Sequence, residues 1–74
     1  MSKCAELERL QKEVEAILDK LRELTTLQLE VFRAHNQPEF IRLDKELELT
    51  VGEKERSIGA LRQHVQDHEC QRKA

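Results

Sequence analysis

The residues best suited to metal or redox chemistry lie near the two ends of the chain. Cys4 stands near one end, and His64, His68 and Cys70 stand near the other. Thiolate and imidazole groups are the usual ligands of structural zinc, and two histidines four residues apart project from one face of a helix. If the fold brings the ends together, these four residues form a candidate zinc site with two His and two Cys ligands.

Two features of the spacing weaken the zinc hypothesis. On a continuous helix Cys70 lies about 200° around the axis from His68, so the helix would have to end near Glu69 for both side chains to bind one ion. Neither cysteine belongs to a Cys-x-x-Cys pair, the spacing that structural zinc sites commonly use. The sequence therefore predicts no cofactor, and a zinc- or redox-responsive protein is kept as an alternative.

Cys4 and Cys70 are also candidates for a disulfide, because a fold in the middle of the chain would place them at the same level. The beginning of the sequence has no apolar signal-peptide segment, and no apolar run approaches membrane-spanning length. We therefore expect a cytoplasmic location and no membrane partner. Thiols are reduced by default in the cytoplasm, so this disulfide is expected only under oxidising conditions.

Catalytic and phosphate-binding patterns are absent from the sequence. It has no Ser/His/Asp arrangement that a simple fold would assemble and no glycine-rich phosphate loop. The net charge of −2 comes from interspersed acidic and basic residues and not from charged blocks. We therefore predict that the chain is not an enzyme. The acidic balance disfavours nucleic acid as a partner, and an RNA-binding bundle is kept as the second alternative.

Apolar residues in the first half recur at alternating steps of three and four, which is the a/d pattern of a packed helix. They are Leu7, Leu10, Val14, Ile17, Leu21 and Leu24. A second apolar row, formed by Leu18, Leu29 and Phe32, lies beside the first. With Val31 it widens the apolar arc to roughly 160°, which is more than one partner helix would cover.

Pro38 marks the break between the two helices, because proline is tolerated in a first helical turn but not in a helix interior. Asn36 is suited either to end the first helix in a left-handed conformation or to cap the second. A short connection of this kind makes the two helices antiparallel neighbours. The predicted seam of the second helix follows Phe40, Leu43, Leu47, Val51, Ile58, Leu61 and Val65, with Lys54 and His68 at positions where apolar groups are expected.

The predicted fold is therefore all-α: one antiparallel, coiled-coil-like two-helix hairpin. The predicted bounds are residues 1–74 for the domain, about 3–34 for helix 1, about 35–38 for the turn and about 38–71 for helix 2. A chain of 74 residues buries too little apolar surface to be comfortably stable alone. We expect a homodimer, in which two hairpins form a four-helix bundle.

Gly52 and Gly59 lie seven residues apart inside the second helix, where each costs about 1 kcal/mol relative to alanine. Close approach of another helix would explain them, and simple tolerance of exposed glycines is an equal alternative. The predicted interface consists of Leu18, Leu29, Phe32, Ile41, Leu49, Gly52, Gly59 and Ala60. The sequence thus predicts a non-catalytic interaction module that self-associates and docks a helix of an unidentified client protein.

Overall fold

The computed structural model describes residues 5–68. They form two helices, α1 from Ala5 to Arg33 and α2 from Gln37 to His68. The helices pack against each other, and these residues contain no strand. The structure therefore confirms the predicted all-α hairpin, which is 53 Å long and 16 Å across.

Helix α1 is terminated by His35, two residues after its last residue Arg33; His35 adopts the left-handed conformation with φ of 59°. The amide of Asn36 donates to the carbonyl of Val31, and the amide of His35 donates to the carbonyl of Phe32, each at 3.0 Å. These two bonds form the Schellman motif, which satisfies carbonyls at the end of a helix. Of the two roles predicted for Asn36, the left-handed one belongs to His35 instead.

Asn36 has the other predicted role, because it caps α2. Its Oδ1 accepts the amide of Glu39 at 3.3 Å, and its carbonyl accepts the amide of Phe40 at 3.0 Å. Pro38 follows in the first turn, where an amide hydrogen would have no helical partner in any case. The end of α1 and the start of α2 are thus formed by adjacent residues, and the chain reverses direction between them.

The α1 side of the contact between the helices follows the predicted spacing. We call the contact between α1 and α2 the seam. Its buried α1 residues are Leu7, Leu10 and Leu24. Half-buried residues continue the same three-and-four spacing, and they are Val14, Ile17, Leu21, Gln28 and Val31. The regular repeat keeps one edge of α1 against α2 along the length of the hairpin.

The α2 side of the seam differs from the prediction at its centre. Thr50 is 1% exposed and Ser57 is buried, whereas the predicted seam residue Val51 is 37% exposed and Ile58 is only half-buried. Alternating steps of four and three from Leu43 lead through buried or half-buried positions, namely Leu43, Leu47, Thr50, Lys54, Ser57, Leu61 and His64. The placement of Val51 in the seam is wrong, because a helix packed along a partner keeps this regular repeat even where the residues are polar.

Small hydroxyl residues therefore form the centre of the α2 seam. Thr50 donates its Oγ1 hydrogen to the carbonyl of Glu46 at 2.8 Å, so its buried hydroxyl is satisfied. The Oγ of Ser57 is buried without a hydrogen-bond partner in the described part of the chain. Leu43, at 2% exposed, is the most buried apolar residue of α2. The hairpin buries little apolar surface of α2 near its middle.

Exposed ion pairs stabilise both helices weakly, by a few tenths of a kcal/mol each. They join Arg9 to Glu6 and Glu13, Arg22 to Asp19, and Arg42 to Glu39 and Glu46.

Neither α1 nor α2, as far as residue 68, is both long enough and apolar enough to cross a membrane.

Candidate interaction surface

The seam separates two long faces of the hairpin, and one row of residues from each helix borders the seam on each face. On one face the α1 row is Gln11, Leu18, Thr25 and Phe32, and the α2 row is Gln37, Asp44, Val51, Ile58 and Val65. Members of a row are seven residues apart and so stay at one angle beside the seam. Because the helices are antiparallel, these two rows lie on the same side of the hairpin.

Two side-chain contacts join the helices on this side. Gln28 donates from Nε2 to Oδ1 of Asp44 at 3.2 Å. The rings of Phe32 and Phe40 pack with their centroids 5.5 Å apart and their planes at 49°. The α1 row and the α2 row are therefore neighbours across the seam.

This side of the hairpin carries exposed apolar residues from both helices, and they are densest near the turn. Phe32 is 60% exposed, and Leu18 and Val51 are also exposed. The exposed residues Leu29 and Ile41 extend the surface at its edges. We refer to this surface as the apolar face, and its members are Leu18, Leu29, Phe32, Ile41, Val51, Ile58 and Val65. Exposed apolar residues grouped on one side of a protein often mark an interaction site.

The surface of the apolar face contains two open hollows. One lies along α1 and is lined mainly by Leu18, Leu21, Thr25 and Leu29. The other lies beside the turn, where Phe32, Phe40 and Ile41 form what we refer to as the turn cluster. Side chains separated by hollows are the form of surface into which side chains of another helix pack.

The opposite face is charged. Its groove between the helices is lined by Glu13, Ala16, Ile17, Glu53, Arg56, Ser57 and Ala60. Arg42 lies on the same side and donates from Nε to Glu39 at 3.0 Å. This hydrogen bond lowers the pKa of the Glu39 carboxyl, and the bond with Glu39 raises the pKa of Arg42. We refer to this side as the charged face, and its exposed apolar side chains are Leu27 and Leu49.

The residues predicted as an interface are distributed over three surfaces. The apolar face contains Leu18, Leu29, Phe32 and Ile41. The charged face contains Leu49 and Ala60. Gly52 and Gly59 lie on the outer side of α2, opposite the seam. A Cβ added at Gly59 would meet no atom within 4 Å, and one added at Gly52 would come within 3.6 Å of Nη1 of Arg56 only.

Sequence reasoning missed Val51, Ile58 and Val65 as members of the apolar face, because it assigned them to the seam. The available signal was the spacing itself. Regular steps from Leu43 place Lys54 in the seam and Val51 beside it. Following apolar residue types instead of the repeat moved three of the predicted α2 seam positions by one residue each, about 100° around the helix, and left the others in place.

The structure describes one side chain of the candidate zinc set. His64 is half-buried in the seam. Cys4 and Cys70 lie outside the described residues, as does the side chain of His68. Within residues 5–68, no three His, Cys, Asp or Glu side chains are grouped to hold a metal ion. The zinc site and the Cys4–Cys70 disulfide stay predictions.

Comparisons of the chain with protein-family models, with curated proteins and with solved structures found no match. A function for the chain is therefore inferred from the surface chemistry of the hairpin. Its most distinctive feature is the difference between the apolar face and the charged face.

Proposed function

We propose that the chain is a non-catalytic interaction module that self-associates through its apolar face, so that two hairpins form a four-helix bundle. The observation that supports the proposal is the apolar face itself. Its members come from both helices and lie on one side of the seam. Covering apolar surface contributes roughly 25 cal/mol for each Å² removed from water, which makes association through this face favourable.

The hairpin exposes more surface than a compact chain of its mass. Its accessible surface measures 5698 Å², whereas a compact monomer of 8.7 kDa exposes about 4,700 Å². A hairpin 53 Å long and 16 Å across exposes more surface than a compact shape because each helix is covered along one side only. A second copy covering the apolar face would supply the burial that the isolated hairpin lacks.

The polar centre of the α2 seam also supports self-association. Thr50, Lys54 and Ser57 occupy seam positions, so the apolar residues Val51 and Ile58 lie beside the seam and are only partly covered within one chain. These two side chains gain full burial only from a partner. Association would therefore supply stability that the fold of a single chain does not.

Matched charge substitutions test the proposal. Leu18→Glu places a carboxylate on the apolar face, and Leu49→Glu makes the same change on the charged face at a residue that is 71% exposed. We expect the unmodified chain and the Leu49→Glu variant to be dimers in sedimentation equilibrium at micromolar concentration. For Leu18→Glu we expect dimer dissociation to be at least about 30-fold more favourable, as for the loss of a central contact.

Two results would contradict the proposal. One is an unmodified chain that is monomeric at micromolar concentration yet helical and cooperatively folded. The other is dissociation by Leu49→Glu with an intact dimer in Leu18→Glu, which would assign the interface to the charged face. Circular dichroism of both variants checks that the helices remain folded.

A further inference from the structure

The two edges of the apolar face carry charge patterns that distinguish the possible directions of a second copy. The α1 edge consists of residues seven apart, Glu8, Glu15, Arg22 and Leu29. The α2 edge consists of Arg62, Glu55, Glu48 and Ile41. Each series runs from the open end of the hairpin, which is the end opposite the turn, toward the turn. Both are charged toward the open end and apolar at the turn.

The contacts within the hairpin show which residues of the two edges share a level. The residue numbers sum to 72 both for Gln28 with Asp44 and for Phe32 with Phe40. Glu8 therefore lies within about one helical turn of the level of Arg62, and Leu29 lies equally close to the level of Ile41. Glu15 is equally close to the level of Glu55, and Arg22 is equally close to the level of Glu48.

We propose that the two copies associate with their turns at the same end of the bundle. This inference rests on the proposed self-association through the apolar face. In this arrangement α1 of each copy lies over α2 of the other, and edge residues of equal level meet. Glu8 meets the partner's Arg62, Arg22 meets the partner's Glu48, and Leu29 meets the partner's Ile41. The turn clusters of the two copies lie together.

One level of this arrangement is unfavourable, because Glu15 meets the partner's Glu55. The like-charge pair is at the exposed edge and lies between two levels of opposite charge, where solvent weakens the repulsion. The apolar contacts at the turn end decide the direction, since exposed ion pairs contribute little. Phe32 and Ile41 are 60% and 55% exposed in the single chain, so they have much surface to bury.

The opposite direction, with the turns at opposite ends, matches the surfaces poorly. Each helix then lies over the same helix of the partner, running in reverse. Leu29 falls between Glu8 and Glu15 of the partner subunit, and Ile41 falls near the partner's Arg62. The exposed apolar groups at the turn would face charged groups, which would either lose water or keep the contact open.

Distances between spin labels on the two copies test the direction. The background is the full chain with Cys4→Ser and Cys70→Ser, so that a single new cysteine carries the label. Ala34→Cys places it at an exposed position beside the turn, seven residues after Leu27 and therefore on the side of the charged face. Lys20→Cys places it on an exposed part of α1 at mid-length, where both directions bring the copies to the same level.

With the turns at the same end, α1 of one copy lies diagonal to α1 of the other, so we expect double electron–electron resonance to give a distance of roughly 30 to 40 Å between the Ala34→Cys labels, from helices packed 8–10 Å apart plus the outward-pointing label arms. Turns at opposite ends would separate the labels by nearly the 53 Å length of the hairpin, and this result would overturn the inference. The Lys20→Cys labels also lie on the outer, charged faces of the two copies, so their distance should be set by the width of the bundle in either direction. A monomer in sedimentation, with no coupling at either position, would instead overturn the proposed function.

Discussion

The apolar face and the charged face border the same seam, yet equivalent positions on them carry different residues. On α2, Val51 and Ile58 lie beside the seam on one face, and Glu46 and Glu53 lie beside it on the other. The difference shows that the hairpin is amphipathic as a unit, in addition to each helix being amphipathic. One apolar stripe packs the two helices together, and a second, next to it, remains partly exposed.

Substitutions in the seam should have the largest effect on stability, because the packing of α1 on α2 sets the positions of both the apolar face and the charged face. Leu43 is 2% exposed and lies in the seam, so we expect Leu43→Ala to lower the free energy of unfolding by about 3 kcal/mol through a lost contact and a cavity. Leu49→Ala makes the same truncation on the charged face and should change it by less than about 0.5 kcal/mol. Urea unfolding followed by circular dichroism at one fixed chain concentration measures both. Equal effects of the two substitutions would contradict the assigned seam.

The glycines test whether the outer side of α2 is a third contact surface. We expect Gly52→Ala and Gly59→Ala to raise the free energy of unfolding by about 1 kcal/mol each, because alanine favours the helix and the added Cβ atoms have space. The oligomeric state should not change, and sedimentation of the double variant measures it. Dissociation of the double variant would show that a partner helix contacts the glycines, as the close-packing hypothesis from the sequence holds.

The smallest expected effect is a pH-dependent change in stability that comes from an ion pair on the charged face. Arg42 lowers the pKa of the Glu39 carboxyl below its ordinary value of 4.5. The stabilisation by the Glu39 carboxylate is therefore fully present above pH 4.5 and is lost as the pH falls through the lowered pKa. We expect Glu39→Gln to make the fall in melting temperature on acidification less steep. Arg42→Ala is the matched variant, since it removes the donor, and an unchanged slope in both variants would contradict the assignment.

Local signals made the two helices and their connection predictable. The three-and-four spacing of α1 and the position of Pro38 required no knowledge of the partner helix. The residue at the left-handed position was less predictable, because His35 occupies it at a conformational cost of roughly 1 kcal/mol. Asn36, which suits that position better, is instead held by its bonds to the first turn of α2.

The residues of the apolar face were only partly predictable. Leu18, Leu29 and Phe32 lie outside a clear seam pattern on α1, and so the sequence indicated that they needed another partner. On α2 the apolar residues and the regular repeat disagree by one residue. Hydrophobicity favours Val51 in the seam, and the packed repeat places Thr50 there. The choice between them depends on α1.

The sequence by itself determined a helical hairpin with more apolar surface than two helices can cover, because helix periodicity and a proline break are local properties of the chain. The tertiary structure decided which apolar residues remain uncovered. A residue's side of the seam is set by its angle around α2 relative to α1, and that angle exists only once the helices are packed. The separation of the apolar face from the charged face follows from this packing.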